Sequence, residues 1–214
     1  TVLPPALVPG GPVAEGDEVF ISGFFTDAAI GETYTANVVW GDGATTPAVI
    51  DLETRSYTAS HRYLDDPITA GDLYSIVVSV NDGVQTGLRT SFVEVQNIAP
   101  VLSVLPIVDT STNNPVFRAV AFDVSPLDQV GLIYSWTLTK NGVSVPFVSR
   151  SAMEIELNPA MIPAGSSPLI LTTTVDDGDG GVTSQAMVLI VGTNAADTLT
   201  ITNSSFPTGY TNVL

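Results

Sequence analysis

The stretch Tyr74-Ser75-Ile76-Val77-Val78-Ser79-Val80-Asn81-Asp82-Gly83 decides the fold. Tyr74, Ile76, Val78 and Val80 alternate with Ser75, Val77, Ser79 and Asn81, which is the period of a strand with one buried face. Asp82-Gly83 then closes it as a turn. The pattern recurs downstream: Leu169, Leu171, Thr173 and Val175 alternate in the same way and run into Asp177-Gly178. Asp82 and Asp177 are 95 residues apart, Trp40 and Trp136 are 96 apart, and Asp27 and Asp123 are also 96 apart. Spacings inside each copy agree, with 13 residues from Asp27 to Trp40 and from Asp123 to Trp136, and 23 from Pro4 to Asp27 and from Pro100 to Asp123. One unit of about 96 residues is therefore written twice.

Further strands are expected at Glu18–Gly23, Tyr34–Trp40, Tyr57–Tyr63 and Thr90–Val95, and then at Val116–Asp123, Leu132–Leu138, Ala152–Leu157 and Val182–Val191. Turn signals separate them: Gly41-Asp42-Gly43, Asp65-Asp66-Pro67, Asn141-Gly142 and Asp177 through Gly181. About seven short strands per repeat imply an all-β fold of two tandem immunoglobulin-like β-sandwich modules. No segment reads as a helix, and Asn158-Pro159-Ala160-Met161 is at most a single turn. The expected division is 1–98, 99–193, and 194–214 as the start of a further module or an added strand. Gln96-Asn97-Ile98-Ala99-Pro100 joins the first two, its proline making the junction stiff. Asn194 stands 97 residues after Asn97 and echoes that junction.

Composition agrees. Of 214 residues, 44% are hydrophobic and only 13% charged, too apolar for disorder, and 18 Gly and 15 Pro punctuate the chain as short strands require. Six Lys plus Arg against 22 Asp plus Glu leave a net charge of −16, which repels a phosphate backbone and excludes nucleic acid as a partner. No apolar run is long enough to span a bilayer, so no membrane insertion is expected. Without cysteine there is neither a disulfide nor a thiolate metal site. The chain opens with no basic and apolar leader, so an export signal is expected upstream of Thr1.

Phe25-Thr26-Asp27, Tyr34, Trp40-Gly41-Asp42-Gly43, His61-Arg62-Tyr63, Asp82-Gly83 and Asn97-Ile98-Ala99-Pro100 occur in order, and with them the first copy resembles the polycystic kidney disease (PKD) domain family over residues 5–98. The second copy resembles the same family or the cadherin-like repeats through Phe122-Asp123, Tyr134-Ser135-Trp136 and Val175 to Gly181. It departs from the pattern where Thr137 through Gly142 replaces Gly-Asp-Gly and where no His-x-Tyr occurs. The resemblance implies a non-catalytic spacer or adhesion pair of a large exported bacterial surface protein, extracellular and monomeric, its partners being neighbouring modules and extracellular glycan or protein. The alternative is a carbohydrate- or protein-recognition module attached to a secreted hydrolase. Gly192 through Leu199 also resembles the lead-in to calcium-binding repeats of type I secreted proteins.

Calcium takes six to eight oxygen ligands at flexible spacing. In the second copy Asp123 and Asp177 meet the linker Asn97 as expected calcium ligands, with Asp128 or Asp179 as extras. In the first copy the equivalents are Asp27 and Asp82, and Thr1 stands where the linker Asn would be. The competing reading is that these Asp residues satisfy turn amides. Trp40 and Trp136, at one position in both repeats, read as core rather than as sugar platforms. Asp42 reads as a turn former, and His61, the sole histidine, as a packed residue, because no nucleophile elbow accompanies it. Asn203-Ser204-Ser205 is a formal glycosylation sequon, expected to be inert. An enzyme is not expected.

Overall fold

The computed structural model describes residues 1–28, 31–66, 72–108, 114–164, 167–191 and 199–200. Two compact units emerge: the first comprises Thr1–Ile98 with Val124–Asp128, the second Ala99–Asp123 with Gln129–Leu214. Each is an all-β, immunoglobulin-like sandwich.

The first unit contains β1 (Ala6–Val8), β2 (Val13–Ala14), β3 (Glu18–Phe24), β4 (Thr35–Val39), β5 (Thr45–Pro47), β6 (Val49–Asp51), β7 (Ser56–Arg62), β8 (Asp72–Asn81) and β9 (Thr86–Gln96). They form one sheet in the order β1-β3-β7-β6 and another in the order β2-β9-β8-β4-β5. All pairs are antiparallel except β2 with β9, where Val13 faces Val95. Alternation does what the sequence promised. Ile76, Val78 and Val80 of β8 point inward and meet Val19 and Ile21 of β3 and Tyr57 of β7 in one core that closes over Trp40. Trp40 is fully buried, and its indole N–H donates to Thr46 Oγ1 at 2.9 Å, so its polar edge is satisfied.

β10 (Val101–Val108), β11 (Pro115–Phe122), β12 (Ile133–Lys140), β13 (Val143–Ser144), β14 (Val148–Ser151), β15 (Glu154–Glu156), β16 (Leu169–Asp176), β17 (Val182–Val191) and β18 (Leu199–Thr200) follow. Their sheets run β10-β11-β15-β14 and β13-β12-β16-β17-β18. Phe117, Ile155, Leu138, Leu169, Leu171, Met187 and Leu189 form a separate core. Trp136 is only half-buried at its margin, with its N–H donating to the Ala152 carbonyl at 2.9 Å. The core expectation is therefore met in full by Trp40 and only in part by Trp136.

The expectation of no helix needs correction. A short helix, α1, spans Pro126–Gly131. Ser125 is its cap, Pro126 occupies the first helical position, and the Asp128 amide donates to Ser125 Oγ at 3.3 Å. Six residues are too few for hydrophobic periodicity to register, so only the cap residues announce it. Pro159–Met161 forms the single 3-10 turn expected there. Asn194, the segment Gly192 through Asp197 and the Asn203 sequon lie outside the described residues.

Candidate metal centre

Among the described residues two groups of acids converge, both within the first unit. In one, carboxylate oxygens of Glu15, Asp65 and Asp128 all lie within 4.8 Å of one another. Glu15 directly follows β2, whose parallel pairing to β9 continues as Glu15 N–H donating to the Gln96 carbonyl at 2.9 Å. Its own Oε1 accepts the Ile98 amide at 2.9 Å, so the residue is pinned and 1% exposed. Asp65 lies three residues beyond β7 and accepts from the Ser125 hydroxyl at 3.3 Å. That hydroxyl also caps α1, and the capping geometry turns Asp128 toward Asp65.

Asp66 sits behind them, 1% exposed, and neither carboxylate oxygen has a hydrogen-bond partner. Asp128 is 8% exposed, and its Oδ2 lacks one too. Burial raises the Asp65 pKa, and the Asp128 charge raises it further. Burial pushes Asp66 up to about 6; the nearby Asn97 amide opposes this from outside hydrogen-bonding geometry, while Asp65, Asp72 and Asp128 add to it. Like charges 4 Å apart repel by about 4 kcal/mol at an effective dielectric near 20, so such a group holds together best around a cation or shared protons.

The second group is Asp27, Glu32 and Asp82, all partly exposed, again within 4.8 Å of one another. The structure thus brings Asp27 and Asp82 together as expected. Asp82 Oδ1 is also the acceptor for the Val84 and Gln85 amides at 2.8 and 2.6 Å, which lower its pKa. Turn chemistry and convergence coexist in this residue. A cavity of about 870 Å³ opens beside the group, walled in part by Phe25 and Tyr34, whose rings lie 4.9 Å apart. The Tyr34 hydroxyl is shielded without a partner, and burial followed by the Asp27 charge raises its pKa.

In the second unit Asp123 and Asp177 are buried, but neither joins a three-carboxylate group among the described residues. Asp177 Oδ1 accepts the amides of Asp179, Gly180 and Gly181 at 3.2, 3.2 and 2.8 Å, the geometry of a turn former. A Cβ on Gly181 would collide with the Asp177 carboxylate, which explains the glycine. The Asp123 amide donates to Gln129 Oε1 at 2.8 Å. Asn97, partly buried, belongs to the first unit beside the Asp66 carboxylate.

His61 is held as a packed residue. Its Nε2 is 2.6 Å from Asp42 Oδ2, its ring stacks on Trp40 at 5.0 Å, and Tyr63 meets it edge-on while donating to the Trp40 carbonyl at 2.8 Å. Asp42 also accepts the Ala44 amide at 2.9 Å, as a turn former does.

Glu15, Asp65, Asp66 and Glu32 were not among the expected ligands. For Glu32 the signal was available, since it precedes Asp128 by the repeat length of 96 residues. No protein-family model and no curated protein matches the sequence. Among solved structures, the titin domains Z1Z2 in complex with telethonin align at 11% identity over 90% of this chain and 98% of theirs, with a TM-score of 0.39. A chimeric titin Z1Z2-Z1Z2 tandem functionalised with a GRGDS peptide from fibronectin aligns at 14% over 86% and 97%, with a TM-score of 0.29.

Proposed function

We propose that the chain is a non-catalytic spacer or adhesion pair of PKD-like modules from a large exported bacterial surface protein, stiffened by calcium where the modules join. The observation that carries this reading is the repeat itself: a complete sandwich with its own closed core occurs twice, so the chain extends by addition of self-sufficient units. The acidic group that follows β2 and β7, beside the linker Asn97, supports calcium as the stiffening element, and Asp123 and Asp177 are the ligands proposed for the second unit. Small-angle scattering in EDTA and in millimolar calcium tests it. A monomer whose distance distribution sharpens with calcium is expected, and one that calcium leaves unchanged removes the stiffened joint.

A second reading is favoured by one feature, the cavity beside Asp27 and Asp82 with its aromatic wall, which suits recognition of an extracellular glycan or protein segment. A glycan array probed with the chain and with a Tyr34→Ala variant tests it, since binding that survives the substitution places the contact elsewhere.

A further inference from the structure

We infer that the open edge of β9 pairs antiparallel with the same edge of a second molecule of this chain, Thr90 facing Thr90 and Leu88 facing Phe92; this rests on the adhesion reading above and names its partner. The sheet runs β2-β9-β8-β4-β5, but β2 reaches only Val95 and Gln96 of β9. Among the described residues no strand lies beside β9 from Thr86 to Glu94. Two bonds fix which way its main chain points: the Gln85 carbonyl accepts the Asp82 amide at 3.2 Å on the β8 side, and the Gln96 carbonyl accepts the Glu15 amide at 2.9 Å on the β2 side. The ladder to β8 runs without a slip from Asp72 with Val95 to Asn81 with Thr86. Directions therefore alternate, and the amides and carbonyls of Thr86, Leu88, Thr90 and Phe92 point out of the open edge.

Edges of this kind are normally blunted by shortness, proline, a bulge or inserted charge. β9 has 11 residues, no proline and an unbroken register. Its one cation is Arg89, whose guanidinium donates to the Leu88 carbonyl at 2.9 Å and so covers a single outward group. Leu88 and Phe92 stand 56% and 58% exposed, and the β8 residues paired with them, Ser79 and Ser75, are too small to cover them.

An open edge accepts any extended strand; what selects a second molecule is the fit of this strand to itself. In a two-fold antiparallel pair, facing residues share one face, and those that exchange hydrogen bonds must both point outward. With the axis at Thr90, Leu88 meets Phe92 twice, Arg89 meets Ser91 and Glu94 meets Thr86, so apolar side chains meet each other and no like charges do. Neighbouring registers fail. An axis at Arg89 sets two guanidiniums face to face, one at Ser91 sets Glu94 against Leu88, and one at Phe92 needs the Gln96 carbonyl that Glu15 already holds.

One strand pair is a small interface beside the roughly 1,200–2,000 Å² of a stable complex, and the net charge of −16 opposes it. The dilute chain is therefore a monomer, and pairing takes hold where molecules are crowded on a surface and many weak contacts act together.

Clumping of beads coated with the whole chain, followed by turbidity in EDTA, gives the test. The unsubstituted chain should clump them, and more strongly as salt screens the acidic surface. Thr90→Pro should cut clumping at least tenfold and leave the melting temperature of the chain nearly unchanged, because the amide it removes points away from β8. Thr90→Lys, which sets two like charges across the axis, should act the same way and covers the case in which proline disturbs the strand. The sequence has no cysteine, so single substitutions read the register. Thr90→Cys should give a disulfide-linked dimer on oxidation of the concentrated chain, and Thr86→Cys, which faces Glu94 in this register, should not. Clumping that survives both Thr90→Pro and Thr90→Lys overturns the pairing, as does absence of clumping by the unsubstituted chain or equal cross-linking at both cysteines. Clumping lost in Thr90→Pro with scattering indifferent to calcium upholds the edge and sinks the stiffened joint. Scattering that sharpens with calcium while the beads stay dispersed sinks the edge and leaves the joint.

Discussion

The two units share a strand frame but close their cores differently. In the first, β4 stops at Val39, Trp40 is sealed under His61 and Tyr63, and Gly41-Asp42-Gly43 turns the chain at once. In the second, Thr137 through Lys140 replaces that turn, β12 continues past Trp136, and the reversal waits for Asn141-Gly142, both at positive φ. Leu138 thereby gains a buried position, and Leu157, Leu169, Leu171 and Leu189 supply aliphatic bulk where the first unit uses aromatic rings. The repeat spacing keeps the tryptophan position and the turn aspartates but not what covers them. What an Ig-like frame requires is alternation and turns; the lid over the core is negotiable.

The strongest way to break this contrast is truncation of each tryptophan. Trp40→Ala should cost the first unit about 3–5 kcal/mol, whereas Trp136→Ala, at a half-covered position, should cost the second about half as much. Denaturant unfolding followed by circular dichroism measures both, and equal losses would show that the two cores are not differently sealed.

Acidity sharpens it next. In EDTA, Asp66 has a folded pKa of about 6 against an ordinary value of 3.8. Between those values the folded state holds a proton that the unfolded state has released, so stability falls as pH rises from about 4 to about 6 and stays low above that. The loss is up to about 3 kcal/mol for Asp66, and Asp65, also raised, adds to it in the same direction. Calcium held by these carboxylates should flatten the profile. Emission from Trp40 in a Trp136→Phe background follows the first unit alone, and a profile that rises over this window would contradict the buried-acid geometry.

Gly41→Ala comes third. Gly41 has φ of 94°, and a Cβ there would meet the Ser75 carbonyl oxygen at 2.9 Å and the Ser75 amide at 3.0 Å. Strain plus that backbone clash should cost about 2 kcal/mol. Gly142→Ala, at φ of 77° but with open space around it, should cost less. Equal costs would mean that close packing over the first turn contributes nothing.

Alternation made the inner strands legible, since β3, β8, β16 and β17 each bury one face. Short edge strands such as β2, β5 and β13 have two or three residues and no period to read. β10 also went unread, because Val101 through Val108 is apolar at odd and even positions alike, with Pro106 inside it, so no alternation shows. At the acidic ends, the repeat pointed to Asp27 and Asp82 and to the position shared by Glu32 and Asp128. Glu15 and the Asp65-Asp66 pair have no counterpart at the repeat spacing, where Ser111, Met161 and Ile162 stand, so only the fold reveals them.

The smallest effect concerns α1. The first copy has Ala29 at the position where the second has Ser125, so this hydroxyl is present in one copy alone. Ser125→Ala removes the acceptor for the Asp128 amide and the donor to Asp65 together, at a cost of about 1 kcal/mol. If the hydroxyl serves only the helix, calcium affinity should be untouched. If it also sets Asp128 facing Asp65, affinity should drop severalfold while Ser125→Thr, which keeps the hydroxyl, restores it. Titration of the three proteins separates a local cap from a cap that organises the acidic group.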